Sequence, residues 1–136
     1  MEPQTHTGSC LCGAVRFDFT APTAFRYCHC ERCRKATGSA HAANIFVPAD
    51  QFHWRAGEER IKRYDLPNAR RFSVWFCSEC GTRVPHKIRE RADYLVPAGI
   101  VDTRLDARPQ ENIFWASRAD WCVAAAELPK HDQYPA

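Results

Sequence analysis

The grouping of cysteines constrains this chain more than any other feature. Seven of the eight lie in three short runs, Cys10-Leu11-Cys12, Cys28-His29-Cys30-Glu31-Arg32-Cys33 and Cys77-Ser78-Glu79-Cys80. Thiolates two or three residues apart converge on one metal ion without strain, a spacing that paired disulfides rarely need. The first and third runs supply two sulfurs each and together make one closed four-sulfur site. The middle run makes a three-sulfur site with an open position, which is how catalytic zinc differs from structural zinc. The spacing therefore predicts two zinc ions, a structural one on Cys10, Cys12, Cys77 and Cys80 and a catalytic one on Cys28, Cys30 and Cys33.

The rest of the chain agrees with intracellular metal binding. A length of 136 residues predicts one domain, residues 1–136. No apolar run approaches the ~20 residues of a membrane span. The polar start, Met1-Glu2-Pro3-Gln4-Thr5-His6, has neither the basic opening nor the apolar stretch of a secretory signal. The expected setting is a reducing cytoplasm, where clustered cysteines bind metal rather than pair. The formal charge is +3, but seven ionised thiols holding two divalent ions contribute a net −3 and cancel it. No basic stripe for nucleic acid remains, only short clusters such as Arg70/Arg71.

Alternation dominates the secondary-structure pattern. Ala14 to Phe19 puts Val15, Phe17 and Phe19 on one face, as in a half-buried strand. Further strands are predicted over Asn44–Val47, Arg60–Tyr64, Arg71–Phe76, Tyr94–Val96 and Gly99–Val101, divided by Pro, Gly and Asn. A short helix fits Glu31 to Ala36 with Gly38 after its end, and a second helical turn fits Ala119 to Glu127. The tail after Pro129 reads as a loosely held end. Trp54, Trp75, Trp115 and Trp121 are expected to pack in the core.

Cys10-x-Cys12-Gly13 and Cys77-x-x-Cys80-Gly81 read as zinc knuckles that clasp the two halves of the chain. At the middle cluster, three thiolates on a divalent ion leave a formal charge of −1, which blunts activation of water and favours a further sulfur ligand. Arg32, Arg34 and Lys35 either offset that negative charge or form a solvated helix face. Three residues compete for the open position. Cys122 sits in an apolar stretch that suits a small core residue, His29 lies between two ligands with its ring turned away in an extended segment, and His41 is either a proton shuttle or an ordinary hydrogen-bonded histidine.

The runs Gly8-Ser9-Cys10-Leu11-Cys12-Gly13-Ala14-Val15-Arg16-Phe17, Tyr27-Cys28-His29-Cys30-Glu31-Arg32-Cys33-Arg34-Lys35-Ala36-Thr37-Gly38 and Phe76-Cys77-Ser78-Glu79-Cys80-Gly81-Thr82 closely resemble the glutathione-dependent formaldehyde-activating enzyme family, whose superfamily includes centromere protein V. Asn112-Ile113-Phe114-Trp115-Ala116-Ser117 and Trp121 look like the family's closing segment, which often begins with histidine. The resemblance implies a mainly β, zinc-clasped antiparallel fold of the β-tent type, with the two zinc sites on the cysteines named above. It also implies a carbon–sulfur lyase-type activity that joins glutathione and formaldehyde into S-(hydroxymethyl)glutathione. Thr37, Gly38, Ser39 and His41 follow the reactive cluster closely enough to line a pocket. Two functions stay open at this point: an enzyme adding a small thiol to a small aldehyde, and a non-catalytic zinc scaffold that binds a protein.

Overall fold

A computed structural model of the chain describes residues 4–135; residues 1–3 of the polar start and residue 136 lie outside it. The strands in chain order are β1 (His6–Ser9), β2 (Arg16–Phe19), β3 (Ala24–Cys28), β4 (Ala42–Pro48), β5 (Phe52–Ala56), β6 (Ile61–Asp65), β7 (Ser73–Cys77), β8 (Arg83–Val84), β9 (His86–Lys87), β10 (Asp93–Pro97) and β11 (Glu111–Ile113). One α-helix, α1 (Glu31–Thr37), follows β3 and ends at Gly38, whose φ of 64° and N–H bond to the Arg34 carbonyl make the left-handed cap expected there. Among the described residues, no helix is long and apolar enough to cross a membrane.

The strands form three sheets, ordered β1-β2-β5, β11-β3-β4-β10-β9 and β6-β7-β8. The protein is mainly β, and its pairings are antiparallel except for β11, which runs parallel to β3. Alternation explains how the first two sheets meet. Phe17, Phe19 and Phe52 from the first sheet bury against Phe25, Ile45, Val47 and Val96 from the second. Phe52 stacks on Phe17 and Tyr94 with ring centroids 5.6 and 4.1 Å apart. The predicted face of Val15, Phe17 and Phe19 is fully buried.

Sides alternate along a strand, so the residues flanking Ile45 and Val47 leave by the opposite face. Ala42, Asn44 and Phe46 of β4 share that second face, as Cys28 of β3 does, and it looks toward the third sheet. The core thus fixes the orientation of the residues around the middle cysteine cluster.

Three expectations are corrected. After Pro97 the chain makes a 3₁₀ turn, Ala98–Ile100, because the Val101 N–H is taken by the Ala98 carbonyl; only an isolated bridge joins Val101 to Gly8. Within Ala119 to Glu127, the helical turn is the 3₁₀ turn Ala125–Glu127; Ala119 is buried and Cys122 half-buried, but the remaining side chains are exposed and bury no face to hold a longer helix. Trp115 and Trp121 are not core residues, being 47% and 63% exposed, while Trp54 and Trp75 are half-buried.

Candidate metal centres and the adjoining cleft

The two knuckles are built alike, the second with one more residue in its turn. In the first, the Cys10 N–H bonds to the Val15 carbonyl and the Gly13 N–H to the Cys10 carbonyl. In the second, the Cys77 N–H bonds to the Thr82 carbonyl and the Gly81 N–H to the Cys77 carbonyl. Each turn closes on a glycine with positive φ, 82° at Gly13 and 78° at Gly81, a conformation that a side chain strains. Thr82 ties the knuckles together by accepting from the Leu11 N–H at 3.1 Å and lying 3.2 Å from Cys80 Sγ. That hydroxyl bond, with backbone N–H groups, pulls the Cys80 thiol down to about 5.

Cys10, Cys12, Cys77 and Cys80 converge so that their sulfurs lie within 4.8 Å of one another. The Cys10–Cys12 and Cys12–Cys77 sulfur separations are 3.6 and 3.9 Å. A tetrahedron with metal–sulfur bonds of about 2.3 Å has edges of about 3.8 Å. The donor set therefore fits a tetrahedral thiophilic ion, and all eight cysteines are free thiols.

Cys28, Cys30 and Cys33 form the second convergent group. Cys28 ends β3, Cys30 is the N-cap of α1, and Cys33 lies one turn into that helix. Cys30 Sγ accepts the Cys33 N–H at 3.3 Å, which folds the second and third sulfurs onto one side. The cluster packs with Ala42, Phe72 and Ile113. A hydrogen bond from the Cys33 thiol holds Cys28 down to about 6, and the same bond pushes Cys33 up. Among the described residues, no fourth cysteine, histidine or carboxylate joins the three.

The competitors for that position lie elsewhere. Cys122 is half-buried in the C-terminal segment and belongs to neither group. His29 is 1% exposed and its Nε2 lies 2.8 Å from Asn112 Oδ1, on β11. His41 stacks on Tyr27 at 4.1 Å, with Nδ1 3.3 Å from the Ala42 carbonyl, and burial lowers its pKa. These contacts give both histidines structural employment.

The three-cysteine group opens on a cleft of about 960 Å³ between the second and third sheets. Thr37, Gly38, Ser39 and His41 do not line it, a correction to the reading from chain proximity. Arg32 and Lys35 do, on the exposed face of α1, whereas half-buried Arg34 does not. The residue that sequence reasoning missed is Arg83. It lines the cleft from β8, lies over the Phe72 ring at 6.0 Å and feels the charge of Cys33, Cys28 and Cys30. Burial lowers its pKa while those thiols oppose the shift, and a guanidinium stays protonated in proteins. Its only signal in the sequence is its position three residues after Cys80.

Fold and site together define a mainly β protein with two sulfur-rich groups able to hold metal ions. The family model of the glutathione-dependent formaldehyde-activating enzyme matches residues 5–117, and the chain belongs to that family. A protein of Halomonas elongata, provisionally named as a glutathione-dependent formaldehyde-activating enzyme, is 29% identical over 125 residues, covering 84% of this chain and 77% of its own. The crystal structure of a Rhodobacter sphaeroides protein is similar with a TM-score of 0.61 at 22% identity, covering 78% of this chain and 98% of that one. That likeness concerns the fold.

Proposed function

We propose that this chain adds a small thiol, glutathione in the family's namesake reaction, to formaldehyde or a related small aldehyde, a carbon–sulfur lyase reaction run toward synthesis. In this reading Cys10, Cys12, Cys77 and Cys80 hold a structural zinc, and Cys28, Cys30 and Cys33 hold a second, catalytic one. A zinc ion bound by three thiolates supplies a place that favours a further sulfur, held as thiolate at neutral pH, over an activated water. The observation that carries the reading is that three convergent thiols, joined by no fourth ligand among the described residues, open directly onto a cleft.

The chain's own residues then have distinct work. Arg83 offsets the negative charge that gathers when another sulfur approaches three thiolates. Arg32 and Lys35 give the cleft mouth a positive potential suited to an anionic tripeptide. The cleft holds both reactants together, and proximity alone is worth up to about 7 kcal/mol in favourable cases. The chemistry balances without an oxidant: the thiol loses its proton, sulfur bonds to the carbonyl carbon, and the carbonyl oxygen takes up a proton. The free thiols suit a reducing compartment such as the cytoplasm.

Much of this addition occurs without a catalyst, so the test is a rate. NMR exchange between adduct and free thiol is expected to be faster with zinc-loaded protein than with a Cys30→Ser variant at equal concentration. Equal rates remove the proposal. A second reading, a non-catalytic protein-interaction module, is favoured by the exposed apolar side chains Phe114, Trp115, Trp121, Val123 and Leu128. It expects no rate enhancement and a second metal that takes no added thiol.

A further inference from the structure

The cleft, which in this reading also seats the thiol, is far larger than formaldehyde needs. Its volume is about 960 Å³, whereas a one-carbon aldehyde takes the room of one or two waters, on the order of 30–60 Å³. Arg32 and Lys35 bring positive charge to the cleft, Arg70 and Arg71 pair with Glu90, and half-buried Phe46, Leu66, Phe72, Val74, Leu95 and Ile113 give it an apolar wall. A tripeptide thiol carrying two carboxylates matches the charges and leaves that apolar wall unmatched.

Strand register shows how the wall is laid out from the sulfurs. Ile113, Cys28 and Ala42 form one cross-strand row at the cluster. Phe46, Leu95 and His86 form another, on the same face of the sheet. Between the two rows sits Asn44, two residues from Ala42 and two from Phe46. At a rise of about 3.4 Å per residue, Asn44 lies about 7 Å and Phe46 about 14 Å from Ala42 along β4. The track outward from the sulfurs therefore reads thiols, one amide, then the apolar pair Phe46 and Leu95 with the imidazole of His86 at the end of their row. Asn44 and His86 are 4% and 3% exposed, and Asn44 Oδ1 and His86 Nδ1 have no partner in the protein.

We infer that the carbonyl substrate of this site carries an apolar body, an alkyl or aryl aldehyde rather than formaldehyde itself. Its carbonyl lies at Cys28, Cys30 and Cys33, and its tail runs along Phe46, Val74 and Leu95. The inference rests on the thiol–aldehyde addition proposed above and names its electrophile. Atoms balance as in that reaction: the S–H and the carbonyl π bond are consumed, a C–S and an O–H bond form, and the product is a hemithioacetal. Asn44 is the polar side chain on this track nearest the oxygen that becomes the hydroxyl.

The test compares formaldehyde, acetaldehyde, butanal, hexanal and benzaldehyde with glutathione, each at the same concentration of unhydrated carbonyl, by NMR exchange with and without protein. The expected enhancement grows roughly two- to fourfold per buried methylene and by at least about tenfold from acetaldehyde to hexanal. Leu66→Gln and Val74→Thr are expected to cut the hexanal-to-formaldehyde ratio about fivefold. Because that readout is a ratio, a partly folded variant does not imitate it. An enhancement that is flat or falls with chain length, while formaldehyde is still accelerated, overturns the inference and leaves the thiol addition standing. Acceleration of no aldehyde, formaldehyde included, removes the proposed function and this inference with it.

Discussion

At the residue scale, the decisive side chain after the cysteines is Arg83, the cleft cation that feels all three thiols of the open group. A charge-assisted contact in a partly dry site is worth about 1.5–3 kcal/mol. Arg83→Met is therefore expected to lower kcat/KM for thiol addition by about 10- to 100-fold, with Arg83→Lys recovering part of the loss and both variants retaining two metal ions. Steady-state kinetics with metal analysis checks this. His86 makes a different prediction. Burial holds its pKa down to about 3, against about 6.5 in the unfolded chain. Between those values the unfolded state binds one more proton, so this residue's contribution to stability is complete above about pH 6.5 and declines as pH falls toward 3. Unfolding free energies from urea titrations between about pH 6.5 and pH 5 are expected to fall less steeply in His86→Gln, by up to about 1.4 kcal/mol per pH unit.

At the element scale, β11 does more than extend a sheet. Its parallel pairing sets Ile113 beside Cys28, and Asn112 beside it engages His29, the residue between two cluster thiols. Asn112→Ala leaves the buried imidazole without its partner and is expected to cost about 1–3 kcal/mol in denaturant unfolding of the metal-loaded protein. This element also marks where sequence reading succeeds and fails. The cysteine runs are legible because their ligands are neighbours in the chain, and the glycines after Cys12 and Cys80 signal the turns directly. The strand of Val15, Phe17 and Phe19 is legible because one face is wholly buried. The residues 24–28 and 111–113 carry weak alternation and become strands through pairing with β4 and with each other. The cleft draws on residues 46, 74, 95 and 113, so no local pattern announces it. Trp115 and Trp121 mislead because composition predicts burial, while the chain beyond β11 makes mostly local backbone bonds and leaves large apolar side chains exposed.

At the scale of the whole molecule, the closed group joins the turn after β1 to β7, bringing the first and third sheets together, whereas the open group lies at the edge of a cleft. The two groups are expected to separate in mutagenesis. Cys77→Ser removes one donor of the clasp; a metal bound there would contribute folding free energy on the order of 10 kcal/mol, as in small sites, so this variant is expected to lower Tm far more than Cys30→Ser, which should retain the fold and lose the proposed activity. Thermal unfolding of the two variants in excess zinc checks that ordering. The account's central claim is that the second group keeps one coordination place for a sulfur from outside the chain. Zinc-edge X-ray absorption reads this as the mean number of sulfur neighbours. One four-sulfur and one three-sulfur site average about 3.5 per ion, and glutathione raises the average to about 4. An average already at four without added thiol, or one that glutathione leaves unchanged, contradicts it.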